Sequence, residues 1–245
     1  MDIKKTARSA SRFRVIYIKD FTVIQSFKSR QNRVELVSDS TGRDLSVIKQ
    51  FFDTRHCRLE TDLLGQLYDF GIHVPAIYKT NSRFIRMAYI DGPTLCDYLN
   101  EQELANAPVA DDIVLSLAEQ LDMLYSSPPF HERHLIREDV NLRNCLVLNK
   151  QVYLIDFESV RPGRILSDIS GMIAFYLTYD PVFSDWKIAE LRHIRLLIGN
   201  RYPINAASMT DELEHWLKIL GERRKKNYLR DNANPLALIR EILAI

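Results

Sequence analysis

The chain has 245 residues, 46% of them hydrophobic and 27% charged. That composition excludes a disordered or fibrous polymer and suits one large domain or two packed lobes. Lys and Arg number 33 against 32 Asp and Glu, a net charge of +1, so the chain as a whole is not built to coat nucleic acid or an anionic membrane.

Three cysteines, Cys57, Cys96 and Cys145, form no C-x-x-C pair, which argues against a zinc site or a disulfide framework and for reduced thiols. The stretch Met1 to Arg14 is basic and polar with no apolar segment behind it, unlike a signal peptide. No apolar run reaches the length needed to span a bilayer. The expectation is a cytoplasmic protein, or one peripheral to the inner face of the membrane.

In chain order, Phe13 to Ile18, Phe21 to Phe27 and Arg33 to Val37 read as strands, rich in β-branched and aromatic residues. Ser38 to Gly42 is turn chemistry, and Leu45 to Phe52 reads as the returning strand. From His56 to Phe70 the period changes. Leu59, Leu63, Leu64, Leu67 and Phe70 lie on one face of a helix that Gly71 ends. Ala76 to Tyr78 and Phe84 to Ile90 read as further strands, broken at Asp91-Gly92-Pro93.

Helical patterns follow at Leu95 to Leu104 and Asp111 to Tyr125. Cys145 to Leu148 and Val152 to Ile155 read as a small hairpin. Four helices complete the chain: Ser167 to Tyr179, Ser184 to Ile198, Thr210 to Leu229, and Pro235 to Leu243, the last with Asn234 as N-cap. The fold class is therefore α+β and two-lobed: a β-rich lobe over residues 1–90 carrying one helix, and a mainly helical lobe over 91–245.

The most informative stretch runs from His134 to Leu148, with Asp139 followed five residues later by Asn144. Twelve residues on comes Tyr153-Leu-Ile-Asp156-Phe-Glu158. Phosphoryl transfer needs a carboxylate that orients the attacking hydroxyl, and hard oxygen ligands that hold magnesium against phosphate. These residues supply both kinds of group, and the short hairpin returns Asp156 beside Asp139.

Here the sequence resembles the protein-kinase-like superfamily, whose catalytic loop reads H-R-D-L-x-x-x-N and whose metal motif reads D-F-G. The resemblance implies ATP and Mg2+ as cofactors, Asp139 as catalytic base, and Asn144 and Asp156 as metal ligands. Val47-Ile48-Lys49 is similar to the family's V-A-I-K, which implies that Lys49 grips phosphate. Glu60, on the following helix, would hold Lys49, with Glu35 and Asp62 as competing candidates. The backbone at Ala88, Tyr89 and Ile90 would meet the adenine. Asp168 matches an acid that braces the catalytic loop, or is a plain helix-terminus residue.

Three departures stand out. No G-x-G-x-x-G is present. Lys28, Ser29, Arg30 and Arg33 could reach phosphate by side chain instead, or be solvated charges at a hairpin tip. The catalytic-loop histidine is replaced by Arg137, so that loop must be braced differently. Glu158 stands where D-F-G has glycine, and only Ser159 to Ile165 separates it from the next helix, too short for a peptide-displaying activation loop.

The chain is thus more similar to compact members: the RIO and Bud-type kinases, the aminoglycoside and choline kinases, and bacterial kinases of lipopolysaccharide core sugars. Transfer to a sugar or another non-peptide hydroxyl is the leading expectation. A pseudokinase scaffold and a small protein Ser/Thr kinase are the alternatives. The basic run Arg223, Arg224, Lys225, Lys226 would contact RNA or an anionic membrane, or be a solvated helix end.

Overall fold

The computed structural model describes residues 21–29, 31–198, 206–230 and 235–243. The strand read at Phe13 to Ile18 lies outside them. The first lobe is an antiparallel sheet of five strands: β1 (Phe21–Phe27), β2 (Asn32–Asp39), β3 (Leu45–Phe51), β4 (Ile77–Thr80) and β5 (Phe84–Ala88), in the order β1-β2-β3-β5-β4. The β2–β3 turn closes on Asp39, whose carboxylate accepts the N–H groups of Thr41, Arg43 and Asp44. Gly42 takes the left-handed conformation there, at φ +74°.

Register decides which side chains meet. Val34 lies opposite Lys49 on β3, and Lys49 opposite Ile85 on β5. Because side chains alternate along a strand, Asn32, Val34, Lys49, Phe51 and Ile85 share one face, while Arg33, Glu35, Ile48 and Gln50 share the other.

Helix α1 (Thr54–Asp69) leaves β3 after two residues. Asp53 caps it, accepting the Arg55 N–H at 2.8 Å. Cys57, Glu60, Leu63, Leu64 and Leu67 are its buried residues, at the three- and four-residue spacing of one face. Gly71, at φ +93°, ends it.

The second lobe begins with α2 (Leu95–Leu104), capped by Thr94 on the Asp97 N–H, and α3 (Asp111–Ser126). A short α4 (Pro128–His131) leads to β6 (Leu135–Arg137). A 3-10 turn (Leu142–Asn144) then leads to the hairpin of β7 (Cys145–Leu148) and β8 (Gln151–Leu154). Asn149 and Lys150 turn that hairpin with φ of +50° and +63°. β9 (Val160–Pro162) pairs with β6, and α5 (Ile165–Thr178), α6 (Asp185–Ile198), α7 (Ala206–Arg224) and α8 (Pro235–Leu243) complete the lobe.

The β6–β9 pair and α4 were not expected from the sequence: three or four residues are too few to show a period. α7 stops at Arg224, not at Leu229. Lys225 turns left-handed at φ +56°, and the Lys226 N–H folds back to the Gly221 carbonyl.

One contiguous apolar core runs through both lobes, from Phe51 and Leu64 beside the sheet to Trp216 and Leu220 on α7. The linker between the lobes rests on the hairpin: the Val147 N–H donates to the Pro93 carbonyl at 2.9 Å, and Thr94 bridges Leu146. Gly92 lies so close that a Cβ there would fall on the Val147 carbonyl. A second backbone bond, from the Leu154 N–H to the His73 carbonyl at 2.8 Å, ties β8 to the loop before β4.

Candidate active site

Lys49 is almost wholly buried at 6% exposure, a costly place for an ammonium unless it is paired. Its Nζ donates to Glu60 Oε2 at 2.7 Å and to Asp156 Oδ1 at 2.6 Å, and lies 3.2 Å from Glu158 Oε2. β3 supplies the lysine, α1 the glutamate, and the turn after β8 the two remaining carboxylates. Burial works against the charge on Lys49, but the three carboxylates outweigh it and hold its pKa above the ordinary lysine value. Burial pushes Glu60 up to about 7 against the pull of the Lys49 charge.

Of the three acids that the sequence offered as partner to Lys49, Glu60 is the one in contact. Glu35 faces the other side of the sheet and pairs with Arg33 at 2.7 Å; Asp62 is on the exposed side of α1, 3.9 Å from Arg58.

The catalytic-loop residues follow β6. Arg137, 3% exposed, carries the brace that the absent histidine leaves open. Its guanidinium donates to the Ile155 carbonyl at 2.7 Å and the Asn144 carbonyl at 3.4 Å, and stacks on the Phe157 ring at 5.0 Å. Its backbone N–H donates to Asp168 Oδ2 at 2.6 Å, and the Tyr125 hydroxyl donates to the same oxygen at 2.7 Å. One arginine thus joins β6, the metal motif and the first turn of α5.

Asp139 sits exposed at the end of this brace, its Oδ1 accepting the Asn141 N–H at 3.3 Å. Asn141 caps the 3-10 turn and accepts the Tyr179 hydroxyl at 2.6 Å, which fixes the loop from the α5 side. Asn144 donates its amide to the Asp139 carbonyl at 3.3 Å, so its amide oxygen is the atom left to face a ligand. Asp156 turns left-handed at φ +65°, a conformation that Asp tolerates better than most residues. An amide oxygen and a carboxylate are hard donors suited to Mg2+, and the residues present fit that ion.

The remaining expectations separate. At the hinge, the Ala88 N–H donates to the Ala76 carbonyl at 2.9 Å and the Ile90 carbonyl accepts the Gly92 N–H. The Ala88 donor is therefore spent on Ala76, just before β4. Tyr89 directs its hydroxyl to Asp91 at 3.1 Å. Ser29 accepts the Asn32 N–H at 3.2 Å within the β1–β2 turn. Strand alternation puts Arg33 on the face opposite Lys49, where it donates to Glu35. Arg30 lies outside the described residues.

The basic run is likewise broken up. Arg224 points inward, donating to the Thr178 carbonyl at 2.7 Å among the rings of Phe175, Tyr179 and Tyr228, and Lys226 lies 3.4 Å from Asp180. Arg223 and Lys225 are exposed.

The sequence did not reveal Asn32, whose side-chain amide donates to Glu158 across the lobes. The glutamate at the glycine position of the metal motif marked one end of this contact, but no signal marked Asn32 as the other. A cleft of about 470 Å³ opens beside β9 and α7, lined by Arg161, Arg164, Ser208, Asp211, Glu212 and His215, and by none of the residues around Lys49.

A sheet lobe that presents a lysine–glutamate pair to a helical lobe with an Asp–Asn loop and a metal motif defines the protein-kinase-like class. The sequence profile of the RIO domain matches residues 7–161, well over half of the chain, and the chain belongs to that family. Among solved structures, it is similar to a protein from Haemophilus somnus 129PT assigned as a fructosamine-3-kinase, at 12% identity and a TM-score of 0.48, over 91% of each chain. No curated protein matches the sequence.

Proposed function

We propose that this protein is an ATP- and Mg2+-dependent phosphotransferase that moves the γ-phosphoryl group to a hydroxyl of a small non-peptide acceptor, a sugar or a lipopolysaccharide-core type of substrate. The observation that carries the reading is the single ammonium of Lys49, buried between the lobes and shared by Glu60 at 2.7 Å and Asp156 at 2.6 Å. A buried lysine gains no stability from an excess of carboxylates that an apolar side chain would not give more cheaply. Its worth lies in being aimed, ready for phosphate, beside a metal-ligating acid.

The roles follow from position. Lys49, oriented by Glu60, binds phosphate. Asn144 and Asp156 hold the metal, which supplies charge neutralisation at the phosphates. Asp139, exposed at the loop tip, accepts the proton of the acceptor hydroxyl and orients its oxygen. The Ile90 N–H meets the adenine. Six residues join Glu158 to α5, too few to lay out a peptide.

Nucleotide binding and hydrolysis with magnesium, wild type beside Asp139→Asn and Asp156→Asn, test the reading. Mg2+-ATP should stabilise the wild type against heat. Asp156→Asn should lose the magnesium-dependent part of that binding. Asp139→Asn should bind as well as wild type but turn over at least about a hundredfold more slowly. Absence of nucleotide binding under any metal would overturn the proposal; binding with turnover indifferent to Asp139 would favour the scaffold alternative.

A further inference from the structure

Glu158 stands where the metal motif of the wider class has glycine, and the structure turns its carboxylate inward, with 11% of the side chain exposed. Its Oε2 lies 3.2 Å from Lys49 Nζ and accepts the amide of Asn32, 126 residues away in sequence. Asn32 opens β2 and shares the Lys49 face of the sheet. One carboxylate therefore links the sheet lobe to the metal motif and lands on the lysine that the proposed function reserves for phosphate.

An ammonium has three donors, and three carboxylates surround this one: Glu60, Asp156 and Glu158. Glu60 and Asp156 accept hydrogen bonds from it, whereas Glu158, 3.2 Å away, is held to it by charge alone, so Glu158 is the carboxylate that an incoming phosphate oxygen would displace. Glu60 is 1% exposed and anchored in α1. Asp156 holds the lysine at 2.6 Å. Glu158 has the longest of the three contacts, and among the described residues Asn32 is its one partner besides the lysine. It is the carboxylate with least to lose by leaving.

We infer that Glu158 is a tethered stand-in for phosphate. In the nucleotide-free protein it neutralises Lys49, Asn32 positions it there, and an incoming nucleotide phosphate exchanges with it. The exchange lowers affinity for every phosphate-bearing ligand, because the carboxylate must first be pushed off. It leaves untouched the binding of a ligand without phosphate. The inference rests on the proposed function, in which Lys49 meets nucleotide phosphate.

The test is calorimetric titration of wild type, Glu158→Gln, Glu158→Asp and Asn32→Ala with Mg2+-ATP, Mg2+-ADP and adenosine, each variant first checked for an unchanged melting temperature. Glu158→Gln should bind both phosphate ligands roughly tenfold more tightly, Asn32→Ala should move the same way by less, and Glu158→Asp should restore part of the wild-type weakness. Adenosine affinity should be the same in all four. If the wild type binds nucleotide and Glu158→Gln binds it equally or more weakly, this inference falls and the proposed function stands. If neither protein binds nucleotide, the proposed function falls and takes the inference with it.

Discussion

Arg137 makes three kinds of contact at once: two carbonyls, one aromatic ring and, through its backbone, one carboxylate. A planar guanidinium can span these because its donors fan out in one plane while its face stacks. Lysine keeps the charge and loses the plane. Arg137→Lys should therefore cost about 1–3 kcal/mol of stability by loosening the charged bonds to the Ile155 and Asn144 carbonyls, read as a lower urea midpoint with the slope unchanged.

The acid beneath it makes a second prediction. Burial pushes the Asp168 carboxyl from 3.8 up to about 6, against the pull of the Tyr125 hydroxyl and the Arg137 N–H. The folded protein then binds that proton more tightly than the unfolded chain does. Stability is accordingly greater below pH 3.8 than above pH 6 by this group, and falls as the pH rises through that window. The cost is on the order of 2–3 kcal/mol. Asp168→Asn, which carries no titrating proton, should flatten the stability profile between pH 4 and 6 in denaturant melts; an unchanged slope would show that another group sets it. The resemblance points to Asp168 as a brace of the catalytic loop or a plain helix-terminus residue, but not to its partners: the carboxylate meets Arg137 and Tyr125 only once three separate segments are folded.

At the scale of elements, α5 and α7 cross at Gly171, where a Cβ would come within 2.6 Å of Val140 and 2.7 Å of Trp216. Helix propensity favours Ala over Gly, yet crowding at a fixed crossing outweighs it. Gly171→Ala should lower stability by about 1–3 kcal/mol, and because Val140 is the residue after Asp139, it should slow turnover more than it weakens nucleotide binding. Helix α1 offers the plainer case. Asp53→Ala removes its cap and should cost about 1 kcal/mol, measured by denaturant melts.

Such elements were legible in proportion to their length and period. Leu95 to Leu104 is a helix with the limits its sequence suggests, flanked by a capping Thr94, and the hairpin of β7 and β8 needed only two short apolar runs and a turn. The β6–β9 pair is set by a register between distant strands, Ile136 opposite Arg161, that no local pattern carries. The same holds for the site. Lys49, Glu60, Asp139, Asn144 and Asp156 stood out because motif order along the chain tracks their order in the fold. Asn32 did not, because nothing within reach of a motif distinguishes it from its neighbours until β2 pairs with β3.

For the molecule as a whole, the apolar core is continuous from the sheet to α7, a backbone bond joins the lobes at Leu154–His73, and another holds the linker to the hairpin at Val147–Pro93. Scanning calorimetry should show a single transition, with calorimetric and van't Hoff enthalpies in agreement. Two resolved peaks would mean that the lobes melt separately and that these ties are weaker than their geometry implies.

Gly92 gives this tie a wider meaning. The linker passes over the β7–β8 hairpin with no space for even a methyl group, so the waist of the molecule is also a support of the candidate site. Such a chain is not modular at the point where it looks divisible. Pieces divided just before it and produced apart would also part the His73 carbonyl from the Leu154 N–H that closes on it. Lobes traded between relatives by recombination would function only when both sides of that seam travelled together.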